Sequence, residues 1–167
     1  MRLLGIIAIL TFVADQVLKA VVIFGVFGLR WGQVTGDPDR LPYPPRVDVV
    51  DPYLVLTMAW NGGVNFGLFG GLDLRWLLVG IALAVSVFVL WWVRRDQPGR
   101  LAMIGAGLLV GGALGNALDR VLYGAVADFL NMSCCGIANP YAFNLADIAI
   151  FAGAIGLVLF APDNKSA

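Results

Sequence analysis

Two apolar runs joined by a short basic link decide the fold: WLLVGIALAVSVFVLWWV at residues 76–93, RRDQPGR at 94–100 and LAMIGAGLLVGGALGNAL at 101–118. Each run approaches the roughly 20 residues that a helix needs to cross the hydrocarbon core of a bilayer. The link is short and contains a Pro-Gly pair, which favours a tight turn. The three stretches therefore predict two antiparallel transmembrane helices.

The rest of the chain contains two more apolar runs, at about residues 3–29 and 144–160. Of the 167 residues 60% are hydrophobic and only 13% are charged, with a mean hydropathy of +0.86; soluble domains are about half apolar and a quarter charged. The first run exceeds the roughly 7–15 residues of a secretory signal, so we expect it to be retained. The prediction is an all-α membrane protein, a single domain over residues 1–167 with four transmembrane helices at about 3–29, 76–93, 101–118 and 144–160.

Four crossings place both chain ends on the same side of the membrane. The basic residues of that side lie in short segments, which indicates the cytoplasm; they are Arg2, Arg94, Arg95, Arg100 and Lys165. Those of the other side are spread, with many aspartates, over two long segments at about 30–75 and 119–143. We therefore expect both termini in the cytoplasm and the long segments outside.

The first outer segment combines turn-forming and strand-forming residues. A proline-rich stretch at 37–46 leads into Val47-Asp48-Val49-Val50 and Leu54-Val55-Leu56-Thr57. Alternating and β-branched residues of this kind indicate a short hairpin or small sheet. We expect a small extracytoplasmic β-containing segment between helices one and two, lying on the membrane.

Ionisable side chains inside the apolar runs are costly, by about 2.5–3.5 kcal/mol each on insertion scales, so each requires a partner or a function. Asp15 and Lys19 share one face of helix one, and they could simply neutralise each other. Asn116 and Arg120 share a face at the outer end of helix three. Arg120 could alternatively be an anchor that reaches the interface.

Helix four begins with Asn144 and carries Asp147 one turn further on. Asn144 could be an ordinary helix cap. Asp147 has no lysine or arginine within a turn, so its partner must come from elsewhere in the fold.

Two stretches outside the helices complete the set of polar candidates, Asn61-Gly62-Gly63-Val64-Asn65-Phe66-Gly67 and Val126-Ala127-Asp128-Phe129. The glycines of the first stretch permit a tight backbone turn. Asp128 has apolar neighbours on both sides, unlike a solvated loop acid. On the predicted topology all these groups meet near the outer leaflet, which indicates an active or binding site there.

The residue types limit the chemistry that this site can perform. The chain has no histidine, and all its acids are aspartates, so a Ser-His-Asp triad and a His-ligated zinc site are excluded. The equal numbers of basic and acidic residues, 11 each, give no field that would attract nucleic acid. The adjacent Cys134 and Cys135 match neither a redox motif nor a zinc site, and we expect no metal or cofactor.

Two mechanisms of hydrolysis remain open. Ser133 lies on the outer side together with Lys19, which leaves a serine-lysine hydrolase as a thin possibility. Asp128 and Asp147 are the better pair, because two carboxyl groups within hydrogen-bonding reach share one proton, so one can act as an acid while the other deprotonates water.

The chain resembles the lipoprotein signal peptidases, also called signal peptidase II, over nearly its whole length. The resemblance rests on five boxes in order: Asp15-Gln16-x-x-Lys19, Asn61-x-Gly63-x-x-Phe66-Gly67, Gly115-Asn116-x-x-Asp119-Arg120, Val126-x-Asp128-Phe129 and Phe143-Asn144-x-Ala146-Asp147. Each box alone is weak, but five in order on a protein with four predicted helices are specific. The chain departs from the pattern at Gly62, at Asn65, in the 37–46 stretch and at the cysteine pair.

The resemblance implies an aspartic endopeptidase of the bacterial inner membrane that acts near the outer leaflet. It would remove the signal peptide from prolipoproteins just before a diacylglyceryl-modified cysteine, with Asp128 and Asp147 as the catalytic pair. The residues it implies in substrate binding or support are Asp15, Lys19, Asn61, Gly63, Asn116, Arg120 and Asn144. Its partners would be prolipoproteins and membrane lipid, and we expect a monomer.

Two other classes of membrane protein compete with this interpretation. A proton-coupled transporter would have short loops on both sides and polar groups near the midplane, which the long outer segments disfavour. A purely structural subunit would not explain why Asp147, an acid with no lysine or arginine within a turn, lies inside an apolar run.

Overall fold

The computed structural model describes residues 1–35, 45–63, 74–137 and 139–160. The helices are α1 (Arg2–Ala20), which continues as a π-helical segment (Val21–Val26), α2 (Trp31–Val34), α3 (Arg75–Asp96), α4 (Arg100–Tyr123) and α5 (Leu145–Phe160). The strands are β1 (Arg46–Val50), β2 (Leu54–Asn61) and β3 (Val126–Asn131).

Three of the described helices are long and apolar enough to cross a membrane: Arg2–Val26, Arg75–Asp96 and Arg100–Tyr123. The fourth, Leu145–Phe160, is apolar but has 16 residues. At 1.5 Å per residue it extends roughly 24 Å, less than the roughly 30 Å hydrocarbon core. The prediction of a mostly helical membrane protein with a small sheet is therefore confirmed, while the count of four crossings stays a prediction.

Helix α4 forms the centre of the helical part. Of its apolar window 61% is buried, against 22% for α1 with its extension and 17% for α3, and it packs against α1, α3 and α5. Small residues allow this close approach: a Cβ added at Gly112 would lie 2.6 Å from the backbone oxygen of Ala146 in α5. The surrounding helices turn large apolar side chains outward, among them Ile9, Phe88 and Val158.

Helix α4 extends beyond the predicted boundary near residue 118 and ends at Tyr123. Gly124 follows with φ 88°, a left-handed conformation that glycine adopts without strain and that commonly ends a helix. The apolar run stops where polar residues begin, whereas the helix stops where the backbone changes direction. The two boundaries therefore differ, and Asp119 and Arg120 are both helical.

The three strands form one antiparallel sheet in the order β1-β2-β3. Strands β1 and β2 are the predicted hairpin, with Arg46 opposite Thr57. Strand β3 comes from the second outer segment, where the sequence reading placed no strand, and it pairs with β2 so that Trp60 lies opposite Ala127. The sequence signal was missing because the first four residues of β3 are all buried, so polar and apolar residues do not alternate.

The sheet lies against the ends of the helices where the polar residues are found. Asp15 and Lys19 lie towards the end of α1, Asn116 and Arg120 in the last turns of α4, and Asp147 in the first turn of α5. Beneath the sheet, an apolar cluster joins it to the π-helical segment and the end of α4; its buried members include Ile23, Val34, Met58, Tyr123 and Phe129. Strand β3 is thereby held over the helix ends.

Candidate active site

One asparagine connects the two aspartates. The Nδ2 of Asn144 donates to Oδ1 of Asp128 over 2.6 Å, and its backbone N–H donates to Oδ2 of Asp147 over 3.1 Å. Asp128 lies on β3 with 2% of its surface exposed, and Asp147 is half-buried. Asn144 therefore bridges the two carboxyl groups that were predicted to form a pair.

Asn144 is also the cap of α5. Its Oδ1 accepts the backbone N–H of Asp147 over 2.9 Å, while the Asp147 carboxylate accepts the Asn144 N–H in return. This reciprocal pair is the arrangement of a capping box. Asn144 is thus both the predicted helix cap and a predicted site residue. Its amide oxygen accepts a hydrogen bond from the first turn of α5, and its amide nitrogen donates to Asp128.

Asn61 holds the other side of Asp128. Its Nδ2 donates to Oδ2 of Asp128 over 3.1 Å, and its Oδ1 accepts the backbone N–H of Gly63 over 3.0 Å. Gly63 has φ 100°, and a Cβ there would lie 2.5 Å from a methyl group of Leu78 in α3. The turn after β2 therefore requires glycine, and it orients the Asn61 amide towards the carboxyl group.

Asn116 supplies the partner that Asp147 needed from elsewhere in the fold. Its Nδ2 donates to Oδ1 of Asp147 over 2.8 Å, and its Oδ1 accepts from Lys19 Nζ over 3.1 Å and from Asn144 Nδ2 over 3.2 Å. Lysine has only donors, so the amide must turn its oxygen to Lys19 and its NH₂ to Asp147. Asn116 therefore bridges Lys19 and Asp147 through its amide group.

The environment of Asp128 raises the pKa of its carboxyl group to about 7. Burial is the main cause and the nearby charge of Asp147 the second, while the hydrogen bonds from Asn61 and Asn144 act in the opposite direction. Burial and a like charge both disfavour the ionised form. Asp128 is therefore still partly protonated at neutral pH.

Lys19 does more than neutralise Asp15. Its Nζ lies 2.7 Å from Oδ2 of Asp15 and 2.7 Å from Oδ2 of Asp119, and all three side chains are buried. Gln16 donates to both carboxylates, over 3.1 Å in each case. Asp119 was not among the predicted site residues, although its position three residues after Asn116 on the same helix face was a signal for it.

Arg120 lies at a cleft beside Asp128. Its Nη1 donates to the backbone oxygen of Asn116 over 3.2 Å, while its buried Nε has no partner among the described residues. The cleft has a volume of about 480 Å³ and its lining includes Trp60, Asn61, Gly63, Arg120, Asp128 and Tyr141. The Trp60 Nε1 is also buried without a partner in the described ranges; the sequence reading missed this residue, whose only signal was its place before Asn61.

The serine-lysine alternative finds no support in the geometry. Ser133 Oγ contacts Oδ1 of Asn131 and the backbone N–H of Asn139, whereas Lys19 is engaged with Asp15, Asp119 and Asn116. Each member of that pair is thus bonded elsewhere.

The remaining sequence features lie in other places. Cys134 and Cys135 carry exposed free thiols in a turn that continues to Ile137. Within the described ranges, no group of three or more acidic or cysteine side chains could hold a metal ion. Lys165, Phe66 and Gly67, and all of the 37–46 stretch except its last two residues, are outside the described residues.

Comparisons with known proteins agree with the fold and with the family resemblance of the sequence. The family described as "Signal peptidase (SPase) II" matches residues 7–161. The lipoprotein signal peptidase of Methylorubrum extorquens (strain PA1) is 43% identical over 159 residues, which cover 93% of this chain and 83% of that protein. The corresponding protein of Methylobacterium radiotolerans is 42% identical over 167 residues, covering 96% and 88%.

Two solved structures, both titled as a bacterial membrane enzyme, share the fold. One has a TM-score of 0.75 at 23% identity and covers 99% of this chain and 96% of its own. The other has a TM-score of 0.71 at 24% identity, with coverages of 92% and 84%.

Proposed function

Because the chain belongs to the signal peptidase II family, we propose that it removes the signal peptide from diacylglyceryl-modified bacterial prolipoproteins with Asp128 and Asp147 as its catalytic pair. The observation that carries the aspartic mechanism is Asn144, which donates to both carboxyl groups. Cleavage falls before the lipidated cysteine.

The two carboxyl groups have different surroundings and therefore different roles. Asp147 accepts hydrogen bonds from Asn116 and from the Asn144 backbone, and it is the base of the pair. It takes a proton from water, and the water oxygen attacks the scissile carbonyl carbon. Asp128, with its raised pKa, gives its proton to the carbonyl oxygen.

The resulting tetrahedral intermediate collapses with the carbon–nitrogen bond breaking. The proton held by Asp147 passes to the nitrogen of the lipidated cysteine, and Asp128 recovers its proton as the carbonyl re-forms. Both carboxyl groups return to their starting states.

The cleft beside Asp128 is the site for the peptide substrate. Arg120 and Trp60 line this cleft, and each has a buried N–H donor that lacks a partner among the described residues. Peptide carbonyl oxygens are suitable acceptors, so these side chains orient the segment next to the scissile bond. The outer faces of the helices are apolar, so the acyl chains of the lipidated cysteine can stay in the bilayer beside them.

The membrane arrangement belongs to the same proposal. Helix α5 is the fourth crossing, so a single domain over residues 1–167 has both termini in the cytoplasm of a bacterial cell. Arg94, Arg95 and Arg100 lie at the end opposite the sheet, as the positive-inside rule requires. The catalytic pair faces the outer leaflet of the inner membrane, and its hydrogen-bond partners among the described residues come from one chain, which supports a monomer.

Cleavage of a lipid-modified substrate tests this function. The purified protein in lipid is incubated with a diacylglyceryl-modified prolipoprotein and, in parallel, with the unmodified precursor, and the products are followed by gel mobility and mass spectrometry. We expect cleavage of the modified precursor alone, at the bond before the cysteine. Asp48→Asn, an exposed change on β1, is the matched control and should cleave normally. Cleavage at another bond, or no cleavage by the folded protein, would overturn the proposal.

A further inference from the structure

The peptide amide that precedes each proposed catalytic aspartate donates to a different buried carboxylate. The backbone N–H of Ala127, just before Asp128, donates to Oδ2 of Asp119 over 3.2 Å. The backbone N–H of Ala146, just before Asp147, donates to Oδ1 of Asp15 over 2.9 Å. Strand β3 is thus hydrogen-bonded to a carboxylate of α4, and helix α5 is hydrogen-bonded to a carboxylate of α1.

These two carboxylates are joined to each other. Lys19 Nζ lies between them at 2.7 Å from both, and Gln16 Nε2 donates to both. The Asp15, Lys19 and Asp119 side chains are at most 2% exposed. A buried charge that loses its partner is strongly destabilising, so this set holds a fixed geometry.

We propose that Asp119 and Asp15 are a pair of positioning residues that set the separation of the catalytic carboxyl groups, each acting through the peptide amide before one of them, with Lys19 as the link. The inference rests on the proposed function. Asp119 is the residue that it adds to the reaction, and among the described residues neither the Asp119 nor the Asp15 carboxylate is hydrogen-bonded to the side chain of Asp128 or Asp147.

The need for such a device follows from the topology. Within the described residues β3 pairs with β2 along one edge, and on its other edge an isolated bridge at Leu130 joins it to Phe143, just before α5. The sharing of one proton by two carboxyl groups depends on the distance between them. A displacement of about 1 Å can lower a reaction rate by about 10²-fold. Attachment of both backbones to α1 and α4, the packed helices, prevents that displacement.

A matched pair of substitutions at Asp119 separates this role from a general loss of structure. Asp119→Leu keeps the approximate shape and removes the acceptor, whereas Asp119→Asn keeps an oxygen for the Ala127 amide. We expect kcat to fall about 10²-fold in the leucine variant, because the separation of the two carboxyl groups changes, with little change in KM, because the side chains that line the cleft stay in place. The asparagine variant should turn over at least about tenfold faster than the leucine variant. Equal turnover in the two variants would overturn the inference.

Amide signals report the positioning directly and need only folded protein. With ¹⁵N-labelled alanine, the Ala127 and Ala146 signals are identified by their loss in Ala127→Gly and Ala146→Gly. Asp119→Asn should move the Ala127 amide signal and leave that of Ala146, and Asp15→Asn should do the reverse. An unmoved Ala127 signal in Asp119→Asn, or equal movement of both signals in either variant, contradicts the inference even if the leucine variant does not fold.

Asp128→Asn in the same assay distinguishes this inference from the function on which it rests. Retained turnover in Asp128→Asn would remove the catalytic pair and with it the positioning role. An inactive Asp128→Asn together with normal turnover in a folded Asp119→Leu would overturn the positioning role alone.

Discussion

The side chains that donate to Asp128 and Asp147 in the described structure are asparagines. Asn61 and Asn144 donate to Asp128, and Asn116 donates to Asp147. A lysine in direct contact would favour the ionised form of a carboxyl group. Lys19 instead donates to the Asn116 amide oxygen, and the Asn116 amide nitrogen donates to Asp147.

The pH dependence of cleavage follows from the proton on Asp128. Its pKa is raised to about 7, so the carboxyl group is protonated below that pH and ionised above it. If Asp128 must donate this proton, kcat/KM should fall about tenfold per pH unit above about pH 7. Initial rates between about pH 6 and about pH 9 provide the test. A flat profile across that range would mean that Asp128 is not the acid.

The sequence alone indicates some residues of this site better than others. Asp147 and Asp128 stand out because each is an acid among apolar neighbours, and Asn116 and Lys19 because they are polar in apolar helices. Asp119 looks like the polar end of a transmembrane run, and Trp60 like an ordinary strand residue. Their roles depend on contacts with Ala127 and with the cleft, which only the folded chain creates.

Among the elements, α4 has the central place because its small residues let three helices approach it. The four apolar runs could be read from length and hydropathy, and the β1–β2 hairpin from its β-branched residues. Strand β3 could not, because it is buried over most of its length and its polar and apolar residues do not alternate. Its pairing with β2 depends on the return of the chain at Gly124, which follows α4.

Packing between α4 and α5 predicts a specific effect at Gly112. An alanine Cβ there would lie 2.6 Å from the Ala146 oxygen and 2.9 Å from Cγ1 of Ile150, so α5 must move. Gly112→Ala should lower the free energy of unfolding by about 1–3 kcal/mol, and it should slow cleavage because α5 carries Asp147. Thermal unfolding and cleavage rates of the same samples measure both effects.

Gly80→Ala is the control for this substitution. Gly80 is also helical, is exposed and has nothing within 4 Å of an added Cβ. It should be neutral or stabilising by up to about 1 kcal/mol. Equal unfolding temperatures for the two variants would contradict the packing argument.

At the scale of the whole molecule, the two ends of the helical part differ in chemistry. The sheet, the carboxyl pair and the exposed thiols of Cys134 and Cys135 lie towards one end, while Arg94 and Arg95 end α3 at the other. The sequence predicts this polarity because short basic links mark the cytoplasmic side. A midplane transporter site is disfavoured by the same polarity.

Thiol labelling tests the orientation. A membrane-impermeant maleimide added to intact spheroplasts should label the native cysteines. In a Cys134→Ser/Cys135→Ser background, which should still cleave, Arg40→Cys should be labelled from outside and Gln97→Cys only after permeabilisation. If position 97 is labelled in intact spheroplasts, and the native cysteines of the unsubstituted protein are not, the site faces the cytoplasm and the predicted orientation is wrong.

The central claim is that Asp128 and Asp147 act as one catalytic unit, and the most direct measurement is the turnover of Asp128→Asn, Asp147→Asn and the double variant on a diacylglyceryl-modified prolipoprotein, with lipopeptide binding recorded in parallel. Each single change should lower kcat about 10³-fold or more while binding persists, and the double change should be little worse than either, because catalytic groups that act together are not additive. Near-normal turnover in either single variant, or losses that multiply in the double variant, would contradict the account.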